Sequence, residues 1–166
     1  KILLINKDGD AKVVIPELAL HFDDKLIHIE RWKPNKPITA VYYDDEKQRY
    51  FIKRFLIESV TKEDRFIKPG GELIFLNTDW RPIIKVNFVK PRDRDPITPL
   101  EINTEEFIAI KGFKALGNQL SQKKIKNIEL KEALPYDDEE KSLEEIEVND
   151  QEELSSEDDS QIKLNL

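Results

Sequence analysis

The chain has 166 residues and a net charge of −7, with neither cysteine nor methionine. Without cysteine there is no disulfide, thiolate nucleophile or sulfur-ligated zinc, which suits a reducing cytoplasm, and no apolar run approaches the ~18 residues of a membrane helix. The charge is uneven: residues 1–134 hold 25 basic and 21 acidic residues, net +4, and residues 135–166 hold 2 and 13, net −11.

The chain opens inside an apolar run, "KILLI", which reads as a strand already under way in a longer polypeptide. "ILLINKDGDAKVVI" predicts a hairpin, because Asp8-Gly9 suits a tight turn with positive φ between two apolar runs. "KLIHIERW" predicts a strand with Leu26, His28, Glu30 and Trp32 on one face and Ile27, Ile29 and Arg31 on the other. "PITAVYYDDEKQRYFIKRFLI" reads as two strands around a turn at Asp44 to Lys47, and alternation sets Tyr50 and Ile52 on one face, Phe51 and Lys53 on the other. "GELIFLNTDWRPIIKVNFV" repeats the arrangement, with Asn77 to Pro82 as the connection. "KPRDRDPITPLE" is too rich in proline for a central strand or a helix and reads as an exposed loop. Helical potential is confined to Ser121–Leu134, where "KNIEL" favours a closing strand. Short strands, turn signals at intervals of roughly ten residues and proline outside the apolar runs predict an all-β body.

From Pro135 the composition turns acidic and loses its apolar pattern, which predicts a disordered tail over 135–166. Within it "SLEEIEV" has enough apolar residues for a helical turn against a partner, and the acids either compete with an anionic ligand for the basic body or serve solubility alone.

The glycines of "GFKALGNQ", Gly112 and Gly117, have the spacing of a phosphate-cradling loop, but Asn118 and Gln119 stand where such a loop needs lysine and a hydroxyl. They read instead as turn glycines at positive φ. His21, Asp23, Asp24 and His28 lack the spacing that converges imidazoles on a metal, so no metal site is assigned. No nucleophile–base pair is apparent, and no catalytic residue is assigned. The basic residues carry more information: Lys33, Lys36, Arg49, Lys53, Arg54, Arg92, Arg94, Lys111, Lys114, Lys123, Lys124 and Lys126 cluster near predicted turns and strand ends. Such side chains can follow a phosphate backbone, while the interleaved Tyr50, Phe51 and Phe55 serve either as stacking surface or as core.

"KPNKPITAVYYDDEKQRYFIKRF", "TDWRPIIKVNF" and "EEFIAIKGFKALGNQLSQKKIKNIELKE" resemble the C-terminal region of the A subunit of bacterial type IIA topoisomerases, the gyrase and topoisomerase IV family, over Leu26 to Glu132. The resemblance implies a β-pinwheel, a propeller-like ring of four-stranded blades that holds and bends duplex DNA on its basic outer surface. The body has room for two or three irregular blades. The gyrase-type box Gln-Arg-Arg-Gly-Gly-Lys-Gly is missing, so topoisomerase IV is the better fit. Implied partners are double-stranded DNA, the rest of the A subunit and the ATPase B subunit, in a bacterial cytoplasm, with no cofactor in this fragment. Arg49-Tyr50 mimics the family's catalytic Arg-Tyr pair but lies in a hairpin context, so no cleavage is assigned to it. The alternative is a propeller fragment that binds protein and no nucleic acid.

Overall fold

The computed structural model describes residues 1–58 and 62–136; apart from Pro135 and Tyr136, the predicted disordered tail lies outside the described residues. Residues Lys1–Leu134 form one compact unit, and its described residues build twelve strands and a single helical turn. The strands form three sheets.

Sheet 1 has the order β3-β1-β2-β6, made of β1 (Ile2–Asn6), β2 (Asp10–Val14), β3 (Leu26–Arg31) and the two-residue β6 (Asp64–Arg65). The predicted β1–β2 hairpin is present, with Leu3 opposite Val13. Gly9 has φ +80°, and a Cβ there would stand 2.4 Å from Ile67 Cγ1, so the turn needs glycine for both conformation and space. Asn6 Oδ1 accepts from the amides of Asp8 and Asp10, which fastens the turn from inside.

Sheet 2 is the centre of the body. β4 (Ile38–Asp44) and β5 (Arg49–Phe55) pair as predicted, and β7 (Gly71–Asn77) lies on the other side of β4. Along the free edge of β5 run β10 (Ile110–Lys111), in parallel, and β11 (Asn118–Ser121), antiparallel. Sheet 3 has the order β12-β8-β9, from β8 (Arg81–Phe88), β9 (Leu100–Asn103) and β12 (Ile125–Leu134), the closing strand predicted at "KNIEL".

β7 and β8 depart from expectation. Both are strands, but they do not form a hairpin: β7 stays on sheet 2 and β8 opens sheet 3. A one-turn helix, α1 (Thr104–Phe107), follows β9; Asn103 caps it by accepting from the Glu105 amide. The chain thus weaves between sheets, with β6 joining sheet 1 between two strands of sheet 2 and β10 and β11 joining sheet 2 between two strands of sheet 3.

Sheet 2 is buried on both faces because its two strand faces are both apolar. One face, with Ile38, Ala40, Tyr42, Phe51 and Phe55, packs on Leu3, Ile5, Ala11 and Val13 of sheet 1. The other, with Val41, Tyr50 and Ile52, packs on Ile84, Val86, Ile102 and Ile125 of sheet 3. The predicted alternation of Tyr50 and Ile52 against Phe51 is therefore the division between two cores.

Candidate nucleic-acid interface

Strand register divides the body into two ends. β5 runs from Arg49 at one end to Phe55 at the other, with Ser121 opposite Tyr50 and Lys111 opposite Phe55. The short link 122–124 carries the chain from Ser121 to Ile125, which lies opposite Phe88. The Phe88 end of sheet 3 therefore lies beside the Arg49 end of sheet 2. The link 78–80, from Asn77 opposite Thr39 to Arg81, joins the same sheets at the other end.

Seven basic residues meet at the Arg49 end. The loop 89–99 leaves β8 there with Lys90, Arg92 and Arg94, and the Val89 amide donates to the Lys124 carbonyl at 2.9 Å, which fixes the loop's root against the link bearing Lys123 and Lys124 and the start of β12 bearing Lys126. All six of these side chains are exposed. The turn is held by Ser121, whose Oγ accepts from the Lys123 amide at 2.9 Å. Arg49, half-buried, is oriented by the Lys47 carbonyl at 3.1 Å and by Gln119 Oε1 at 2.9 Å. Asp93 and Asp95 alternate with Arg92 and Arg94 around a shallow open depression, so the loop is the weaker half of the patch and the 122–124 link with the start of β12 the stronger. Lys47 and Lys68, exposed and beside the Asp44–Gly71 pairing at this end, belong to the same surface. Neither stands out in sequence: Lys47 follows three acids, and only pairing brings Lys68 to this end.

The other predicted residues lie elsewhere. Lys33 Nζ sits 5.7 Å over the Trp80 ring, and Lys36 pairs with Glu30 at 2.9 Å with its side chain only 15% exposed; both precede β4 at the Phe55 end. Lys111 is exposed at that end. Lys114 is bound to Asp64, whose carboxyl it holds below the usual carboxylate range, and donates to the Arg65 carbonyl at 3.0 Å. Neither Lys36 nor Lys114 is a free cation awaiting a phosphate.

Two assignments are corrected by burial. Lys53 is fully buried, and its ammonium donates to the carbonyls of Phe66, Phe113 and Ala115 at 2.5, 2.6 and 3.0 Å. With its three protons committed and the Phe55 ring 4.7 Å away, it is a core fastener and not a DNA contact. Burial, with a smaller contribution from the Lys114 charge, pushes its pKa down to about 8. Arg54 is 7% exposed and donates to the Trp80 carbonyl at 3.1 Å, so it ties sheet 2 to the 78–80 link.

Gly117 explains half of the glycine pair. At φ +85° it packs so close to β5 that a Cβ would lie 2.4 Å from the Ile52 carbonyl oxygen, which lets the Phe113 and Ala115 carbonyls reach Lys53. Gly112 differs from expectation: its φ is not positive, and a Cβ would meet nothing. Tyr50 stands in the second core with its ring 4.9 Å from that of Tyr43. His28 Nε2 lies 3.3 Å from Thr78 Oγ1, and no cluster of three metal-binding side chains occurs among the described residues. Among those residues no helix is long and apolar enough to cross a membrane.

No curated protein and no solved structure matches the chain. The family described as topoisomerase C-terminal domain, Bacteroidota, matches residues 1–133, which is the whole of the three-sheet body but its last residue. The chain therefore belongs to the topoisomerase C-terminal domain family of Bacteroidota, and its β body is an accessory domain of a topoisomerase.

Proposed function

We propose that this domain holds and bends duplex DNA beside the cleavage core of a type IIA topoisomerase A subunit, with the Arg49 end of the sheet stack as the DNA-facing surface. The observation that carries this reading is the seam between the 89–99 loop and the 122–124 link with the start of β12, which gathers Lys90, Arg92, Arg94, Lys123, Lys124 and Lys126 beside Arg49. These are side chains on turns and strand ends, suited to phosphates, and α1 is only one turn long, too short to enter a major groove as a recognition helix. Binding is accordingly tolerant of sequence. Contacts spread over two packed sheets, ~10 Å apart, reach successive phosphates and favour a curved duplex. On this reading the three sheets are blades of an open, partial pinwheel, the parent is closer to topoisomerase IV than to gyrase, and the ATPase B subunit completes the enzyme in a bacterial cytoplasm. The domain adds neither a cofactor nor a catalytic tyrosine of its own.

The test is retention of linear duplexes of unrelated sequence in a gel-shift titration at two salt concentrations. Comparable binding of all duplexes, weakening steeply with salt, is the expected result, because phosphate contacts release counterions. No retention at low salt overturns the reading in favour of a protein-binding role.

A further inference from the structure

Lys53 carries a charge that no acid in the body balances. Its ammonium rests on three carbonyls, and among the described residues no carboxylate lies within ion-pair reach of it. Carbonyls satisfy the three protons but leave the positive charge buried, a cost that a nearby anion reduces. The acceptors belong to two segments: Phe66 lies in the 66–70 stretch between β6 and β7, Phe113 and Ala115 in the 112–117 loop between β10 and β11. The Tyr42 hydroxyl fastens the second segment again by donating to the Leu116 carbonyl. Between these segments lies a cavity of about 230 Å³, with Tyr42, Phe66, Ile67 and Leu116 in its walls. The bonds that bury Lys53 therefore also set the width of the cavity.

The charged side chains that line this cavity are Arg65, Lys68 and Lys114, and no acid lines it. Other depressions differ: one alternates Arg92 and Arg94 with Asp93 and Asp95, and another carries Asp10, Asp23 and Glu63. Arg65 is held by Asp10 at 2.9 Å and Lys114 by Asp64, so both cations are pinned by acids that stand outside the cavity. Lys68 is exposed and has no acid within ion-pair reach among the described residues. We infer that the cavity between the 66–70 stretch and the 112–117 loop is a binding site for a phosphate monoester or inorganic phosphate, which Lys68 contacts at the rim and Lys53 attracts from beneath. Two uncompensated cations select the charge of the ligand. A phosphate monoester carries about −1.5 to −2 at neutral pH, whereas a carboxylate, or a phosphodiester of a duplex, carries a single negative charge. Apolar walls with a few convergent polar groups are the ordinary make-up of a small-ligand pocket. The site does not rest on DNA binding at the Arg49 end, so either property can fail without the other.

Proton linkage gives the site a signature. Burial and the Lys114 charge hold the Lys53 pKa down at about 8, and an anion beside the ammonium favours its protonated form. Around it, Asp10 and Asp64 are lowered by their Arg65 and Lys114 partners, Arg65 is raised by Asp10 and the Tyr42 hydroxyl by burial, so none of these four titrates near pH 8. Asp44, Lys68 and Lys114 are the other charged groups nearby. In the test, the 166-residue chain is titrated with inorganic phosphate at an ionic strength fixed with chloride, and the amides of 66–70 and 112–117 are followed by NMR. Saturable shifts at these amides are expected, with affinity at least ~10-fold weaker in Lys68→Ser, as for loss of a charge-assisted contact, and unchanged in Lys111→Ala, an exposed cation outside the cavity. Affinity should fall from pH 7 to pH 9 as Lys53 loses its proton, against the trend of phosphate itself, whose negative charge rises with pH. No saturable shift beyond that of chloride, an affinity indifferent to Lys68→Ser, or one that grows with pH overturns the inference. Complete displacement of phosphate by an equimolar linear duplex also overturns it, and makes the cavity an extension of the DNA-facing surface.

Discussion

The middle of β5 and the turn between β11 and β12 are both basic, yet their cations face opposite problems. Lys53 and Arg54 lie in a strand buried on both faces, so each must find acceptors inside the protein, and both do, on backbone carbonyls. Lys123, Lys124 and Lys126 lie at the exposed end of sheet 3, where water solvates them and an anion can displace it. A lysine in this fold is therefore structural or available according to whether the sheet it stands on is covered, and the same residue type has different energetics in the two places. Removing a buried ammonium leaves three carbonyls without a donor, whereas removing an exposed one leaves nothing unsatisfied.

The largest expected effect tests the buried side. Lys53→Met should lower stability by about 3 kcal/mol, read as a reduced urea midpoint, while the fraction that remains folded binds DNA as before. Unchanged stability would show that the carbonyls find other donors, and a specific loss of DNA affinity would return Lys53 to the interface. The pH dependence sharpens the point. Burial lowers the folded pKa of Lys53 to about 8 from 10.5, so in that window the unfolded chain binds more protons and this group's contribution to stability rises with pH. The stability gap between wild type and Lys53→Met should accordingly widen from pH 8 towards 10; a constant gap would place the folded pKa near its ordinary value.

A smaller effect tests the exposed side against itself. Replacing Arg92 and Arg94 together by Ala should weaken DNA binding about tenfold at low salt, as expected for loss of charge-assisted contacts with net values near 1.5 kcal/mol; the neighbouring Asp93 and Asp95 keep the loss from being larger. Smallest of all, Lys111→Ala, at the opposite end of β5, should change affinity by less than about twofold, since an exposed charge more than a Debye length from the ligand is largely screened. Anisotropy titrations rank the two, and a Lys111 effect equal to that of the arginine pair would show that both ends touch DNA.

Much of this architecture was legible in sequence because short strands between Gly, Asp and Pro signals have few alternatives: the β1–β2 hairpin, the β4–β5 hairpin and the closing strand all follow from local pattern. What was not legible is which strands share a sheet. "GELIFLN" and "RPIIKVNF" look like a hairpin because both are apolar and close in sequence, but their partners are β4 and β12, and nothing local specifies that. The misplacement of Lys53 has the same origin. Alternation gave the correct face of β5, yet a lysine on that face reads as solvent-exposed until sheet 1 and the Gly117 loop are seen to cover it. Conversely, the basic patch was legible residue by residue but not as a patch, because its unity depends on the Val89–Lys124 bond between segments 35 residues apart in sequence.

The claim that DNA is held at the Arg49 end is tested most directly by the salt dependence of duplex affinity for the wild-type chain and for Lys123→Ala/Lys124→Ala/Lys126→Ala, with circular dichroism to confirm the fold. The plot of log affinity against log salt should be steeply negative for the wild type and shallower in the variant by about one unit per lost phosphate contact, hence by up to about three. Coincident slopes and affinities for the two proteins would contradict an interface at this end of the molecule.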